Sequence, residues 1–176
     1  MKYKKLQILK KSFTLIELVF VIVIIGLLAS VAVPKFMQTK ASASSNSAKS
    51  IVSSVRTAIE TKHGEWIIND DLDSSNGYTP QGYPIKLDEA SKNSGGENLF
   101  VGTDKLKILK NPVKSCLDND CWFKYKDDDS DKNLSYYKYK FNDDEFITIE
   151  YNGSNGKLDC ISDGGMSKED CESIID

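Results

Sequence analysis

The sequence predicts an α+β fold, in which one long N-terminal helix lies on a small antiparallel β-sheet. Three observations carry that expectation. Residues 18–33 form an apolar run without a charge, and helical spacing of apolar residues continues behind it to about His63. From Cys121 onward the pattern changes to short aromatic and β-branched runs separated by turn-forming clusters. The 176 residues, 28% charged and 40% hydrophobic, suffice for one modest core besides the N-terminal segment.

Residues 1–12 form a basic leader with five lysines (Lys2, Lys4, Lys5, Lys10, Lys11) and no acid, which the positive-inside tendency holds in the cytoplasm. Residues 13–33 then give about 31 Å of helix, enough for a single crossing of a bilayer core. Glu17 stands out in this run. A charge costs about 2.5 kcal/mol or more at the centre of a span and less at its edge, so an acid there reads as functional. Gly26 and Pro34 weaken the helix. Pro34 has no N–H for the carbonyl of Ser30, and a kink or local loosening is expected.

The rival expectation, that the helix stops at Pro34, is disfavoured by the residues beyond it. Ala41, Ala48, Ile51, Val52, Val55, Ala58 and Ile59 recur at spacings of three, four and seven, with Ser, Lys, Asn and Arg opposite them. Residues 34–64 therefore read as an amphipathic continuation ending near His63, with Gly64 as its cap. Its serine-rich piece, residues 41–50, is its weakest part.

Residues 65–176 read as the globular domain. Residues 69–81 are loop-like, Tyr83-Pro84-Ile85 starts a short element, and Asp88 is expected to cap a brief helix through Lys92 that Ser94-Gly95-Gly96 ends. Residues 99–101 and 106–109 suit strands or short helical turns. Strands are expected over 122–126, 136–141, 146–151 and 157–161, joined by short turns as a meander. The amphipathic half of the helix is the long apolar stripe able to cover one face. Tyr136, Tyr137 and Tyr139 with their interleaved lysines fit core and cross-strand packing better than a nucleic-acid surface.

Catalytic motifs are missing: there is no G-x-S-x-G, Walker loop or H-E-x-x-H, and His63 has no nucleophile at a familiar spacing, so no enzyme activity is expected. No cofactor is expected either. The acidic run Asp127-Asp128-Asp129-Ser130-Asp131 suggests calcium, but an EF-hand needs glycine and glutamate where Lys132 and Lys138 stand. A second oxygen-rich loop offers Asn155, Asp159 and Asp163. Cys116, Cys121, Cys160 and Cys171 are an even set in an export-directed chain, which favours disulfides over looser-than-usual zinc spacings. Three pairings are open; Cys116 with Cys121 and Cys160 with Cys171 close the shortest loops. Loss of the leader leaves 18 basic residues against 26 acidic ones, a formal charge of −8, which argues against nucleic acid as the main partner.

Ser12-Phe13-Thr14-Leu15-Ile16-Glu17-Leu18, the basic leader, the apolar run and Pro34 together resemble the type IV pilin and type II secretion pseudopilin family. The resemblance is close over residues 8–36 and architectural beyond them. It implies that a prepilin peptidase cuts between Ser12 and Phe13, that the new Phe13 amine is methylated, and that Glu17 meets the Phe13 amine of a neighbouring subunit. It also implies that the helix loosens between Gly26 and Pro34 in the filament. Ser12 departs from the glycine usual before the cut, although it is still small.

The expected protein is thus a structural subunit held in the inner membrane by one pass, with its C-terminal domain in the periplasm. Its partners would be the peptidase, other pilin-like subunits and an assembly platform. A pseudopilus of type II secretion or of a related DNA-uptake machine is the first reading. A type IV pilus subunit is the alternative, as is a filament-tip module that binds cargo, DNA or surfaces through residues 69–121. Against all of these stands conventional signal cleavage after Ser30-Val31-Ala32, which would release a soluble protein beginning at Val33.

Overall fold

The structure, a computed structural model, describes residues 13–69, 73–127 and 133–176. The leader, Ser12 and residues 128–131 of the acidic run lie outside them. Two units meet between Lys40 and Ala41, and helix α1 (Leu15–Ile68) contributes to both.

In the first unit, residues 15–40 are helical and every residue from 13 to 40 is exposed. Pro34 lies inside the helix, so the helix does not stop there. Ser30 and Thr39 turn their hydroxyls back onto the carbonyls of Leu27 (2.7 Å) and Lys35 (3.0 Å). Such back-bonding keeps a hydroxyl satisfied within an apolar surface.

In the second unit α1 buries Ser44, Ala48, Val52, Val55 and Ile59, a stripe spaced by four, four, three and four residues that defines one helical face. Ala41 is exposed, so the stripe starts one turn later than its spacing suggests. The helix also ends later, at Ile68, with Gly64 inside it rather than capping it. Glycine in a helix costs about 1 kcal/mol, and packing on either side of Gly64 offsets that. The His63 ring stacks on Tyr83 with centroids 4.1 Å apart and donates from Nδ1 to the Gly82 carbonyl at 3.2 Å. His63 is half-buried by this stack rather than a free surface residue. Trp66 lies against Gly82, whose φ of +84° and missing Cβ both suit glycine, since a Cβ there would run into the indole.

The sheet follows the expected meander. Strands β1 (Asn98–Leu99) and β2 (Val113–Lys114) form a small antiparallel pair. Strands β3 (Cys121–Asp127), β4 (Leu134–Lys140), β5 (Phe146–Asn152) and β6 (Lys157–Ile161) form a four-stranded antiparallel sheet in the order β3-β4-β5-β6. Helix α2 (Lys168–Ile175) follows. Register aligns Trp122 with Tyr139, Tyr137 with Ile149, Tyr139 with Ile147, and Ile149 with Cys160. Period two therefore puts Trp122, Tyr137, Tyr139, Ile147, Ile149, Tyr151 and Leu158 in the core shared with the α1 stripe. Tyr136 is also buried but belongs to the opposite face, where Lys126 lies 4.6 Å from its ring.

Residues 88–92 are not helical. Asp88 uses the chemistry of a cap differently: one oxygen accepts from Ala90 N–H at 3.2 Å and the other from Phe100 N–H at 3.1 Å. That side chain is completely buried and pairs with Lys124, which is 2% exposed, at 3.3 Å; Asp127 approaches the same ammonium at 3.1 Å. A lysine on the core face of β3 is tolerated because two carboxylates and the backbone donors around them complete the set. Tyr137 borders this cluster. Burial first, and the Asp88 charge second, push its phenol well above the ordinary tyrosine range.

Two disulfides tie the domain: Cys116–Cys121, and Cys160–Cys171 between β6 and α2. They are the pairs that close the shortest loops. Arg56 of α1 donates to Leu158 O at 3.1 Å and pairs with Asp176 at 2.9 Å, linking the helix to the same corner.

Truncating the stripe tests the packing account. Ile59→Ala is expected to lower stability by about 2–5 kcal/mol in urea unfolding, whereas Ala41→Ser is expected to change it by less than about 0.5 kcal/mol. Alkali tests the buried phenol. Because the folded pKa of Tyr137 lies above the unfolded value, its contribution is complete below about pH 10 and is lost as pH rises beyond that. Tyr137→Phe should flatten the alkaline decline in thermal midpoint; an unchanged slope would place that decline elsewhere.

Candidate assembly site

The N-terminal helix begins through a reciprocal pair that the Thr14-Leu15-Ile16-Glu17 spacing encodes. Glu17 N–H donates to Thr14 Oγ1 at 3.3 Å, while Thr14 N–H and its hydroxyl approach Glu17 Oε2 at 3.4 and 3.3 Å. This is the capping-box arrangement, in which two orphan backbone donors at a helix start are satisfied by each other's side chains. It gives Glu17 a local role that sequence reasoning missed, although the T-x-x-E signal is present. A carboxylate in the first turn also complements the positive end of the helix macrodipole.

Phe13 precedes the first helical residue and is exposed. It is therefore outside the helix, which starts two residues later than the expected 13–33 segment. Gly26 is helical, and a Cβ there would meet nothing within 4 Å beyond its own helix. Pro34 is helical too. Around these residues the apolar surface is continuous: Leu15 is 80% exposed, Phe20 and Leu28 67%, and Phe36 71%. Length and composition suffice to cross a membrane. An exposed apolar face of this extent marks a surface for contact with lipid or with other protein.

The domain offers less. Among the described residues no group of three or more His, Cys, Asp or Glu side chains converges to hold a metal. The second candidate calcium loop is divided in use. Asn155 accepts from Lys157 N–H at 3.0 Å within the β5–β6 turn, Asp159 is exposed on β6, and Asp163 faces Lys138 at 3.4 Å. Three sequence-derived site residues thus cluster at the start of α1 or just before it (Phe13, Glu17) or fall outside the described residues (Ser12), and the cysteines serve the domain instead.

A long N-terminal apolar helix, the S-F-T-L-I-E-L junction at its start and a small antiparallel meander give the chain an α+β, pilin-like fold. The family model for the prokaryotic N-terminal methylation motif matches residues 9–33. Three sequences of the type IV major fimbrial protein FimA of Dichelobacter nodosus are 45% identical to the chain over 53 residues, which is 30% of this chain and 33–34% of theirs. The chain thus matches about a third of the length of these curated relatives. No solved structure matches it.

The capping pair is testable by hydrogen exchange in detergent micelles. Thr14→Ala should speed exchange of the Glu17 and Leu18 amides by about fivefold, the rate equivalent of one lost cap, and leave residues 52–62 unchanged.

Proposed function

We propose that this chain is a structural filament subunit, cut between Ser12 and Phe13, methylated on the new amine, and assembled through α1. The observation that carries the reading is the pairing of an uninterrupted exposed apolar helix with one acid, Glu17, placed in its first turn. The run holds the monomer in the inner membrane by a single pass, with the domain on the periplasmic side, the orientation that the basic leader favours. In assembly the run covers itself with copies of itself, and Glu17 exchanges its weak intrahelical partners for the Phe13 amine of a neighbour. An opposite charge in low dielectric offsets much of the cost of the buried carboxylate. Loosening between Gly26 and Pro34 would accompany that repacking.

The proposed assembly is the pseudopilus of a type II secretion or related DNA-uptake machine, served by a prepilin peptidase and an inner-membrane platform. A type IV pilus is the second reading, favoured by the fimbrial name of the matched relatives. Extracellular filaments containing the chain would decide for the pilus, and loss of secretion or uptake on deletion for the machine.

Intact mass of the processed chain is the first check. Loss of 12 residues with gain of one methyl group is expected; loss of 32 residues would mean conventional signal cleavage and end the filament reading. In cells, Glu17→Val should be cleaved normally yet enter filaments at a small fraction of the wild-type level, and normal incorporation would refute the charge-pairing argument.

A further inference from the structure

The start of the buried stripe is held by a different kind of contact from the rest. Val52, Val55 and Ile59 are fixed by apolar packing on the sheet. Ser44, the first buried residue of α1, is fixed by polar bonds. Its hydroxyl donates to Asp120 Oδ1 at 2.6 Å, and the Tyr139 hydroxyl lies 3.1 Å from it, able to donate once the serine proton is committed. The surrounding sequence adds little helix propensity of its own. Five of the ten residues 41–50 are serine, a middling helix former, and in that segment Ser44 and Ala48 alone are buried.

Asp120 is in turn placed by a covalent loop. It is the residue before Cys121 in the turn closed by Cys116–Cys121, whose Cα atoms are 5.9 Å apart. Its φ of +62° is left-handed, a conformation that aspartate tolerates and most residues do not. Its N–H donates to Lys140 O at 2.6 Å. The two cystines differ in access: Cys116 and Cys121 are half-buried, whereas Cys160 and Cys171 are buried.

We propose that the Cys116–Cys121 disulfide is a redox-sensitive clasp on α1: closed, it holds Asp120 against Ser44 and keeps residues 44–51 helical; opened, it releases them while the helix from Val52 onward stays packed. Opening is thiol–disulfide exchange. A thiolate of an added dithiol attacks one Sγ, and its second thiolate resolves the mixed disulfide, leaving two protein thiols and a cyclic oxidised reductant. A clasp of this kind closes in an oxidising compartment and not in a reducing one. That compartmental consequence rests on the periplasmic placement proposed above; the coupling between disulfide and helix does not.

Selective reduction tests it. The processed full-length chain in detergent micelles is titrated with dithiothreitol, alkylated, and peptide-mapped to find conditions in which Cys116 and Cys121 are modified and Cys160 and Cys171 are not. Hydrogen exchange is then compared with the oxidised chain. Amides of residues 44–51 are expected to exchange about tenfold faster or more, the scale of a lost hydrogen bond to a charged group, with residues 55–62 unchanged. Equal rates in the two forms, or prior reduction of Cys160–Cys171, would overturn the proposal. If the reductant does not discriminate, the Cys116→Ser/Cys121→Ser double variant replaces it with the same two outcomes. Ser44→Ala with both disulfides intact should accelerate the same amides; if it does not, the Ser44–Asp120 bond is not the link.

Discussion

The constraint on which the structure depends is that one helix must satisfy two environments. Along residues 13–40 every side chain is exposed, and from Ser44 to Ile59 one face of α1 is buried in a protein core. Apolar residues all round are right for the first environment and wrong for the second, where a narrow stripe faces the sheet and Lys49, Ser53 and Glu60 face water. The sheet is built to that stripe. Trp122, Tyr137, Tyr139 and Tyr151 provide broad flat surfaces on one face and share a core with the small Ala48 of α1.

Polar groups inside this core are paired rather than excluded. Lys124 sits on the core face of β3 because Asp88 and Asp127 meet it, and Asp88 also carries the Phe100 N–H that the surrounding loop would otherwise leave buried. The cluster thereby fastens the irregular stretch between α1 and β3 to the sheet. At the strand edge, Asn93 and Cys116 donate their N–H groups to the carbonyls of Lys124 and Trp122, so β3 does not offer a free ladder to another chain.

What could be read from the sequence was whatever is periodic or local. The meander followed from alternating aromatic and β-branched residues, and its turns from their own side chains: Asn142 Oδ1 accepts from Asp144 and Glu145 N–H. The long helix followed from its spacing. The misread features depend on partners far away in the chain. Gly64 looks like a cap until Tyr83 and Gly82 hold His63 and Trp66 helical around it, and Asp88 looks like a helix cap until Lys124 claims it. At the candidate site, Glu17 was legible as an unusual acid, but its bond to Thr14 was obscured because the membrane cost of a lone carboxylate masks a short-range capping pattern. Ser44 gave no signal, since a serine in a serine-rich run is indistinguishable from its neighbours without Asp120.

In the proposed assembly, the acid of the apolar run acts through the amine that processing creates. Zero-length carbodiimide coupling, followed by peptide mass spectrometry, reads that contact directly. An amide between the Phe13 nitrogen of one chain and the Glu17 side chain of another is expected in assembled filaments, and none in detergent-dispersed monomers. Filaments that give no such cross-link, with Glu17 found unreacted or joined elsewhere, would contradict the proposed pairing.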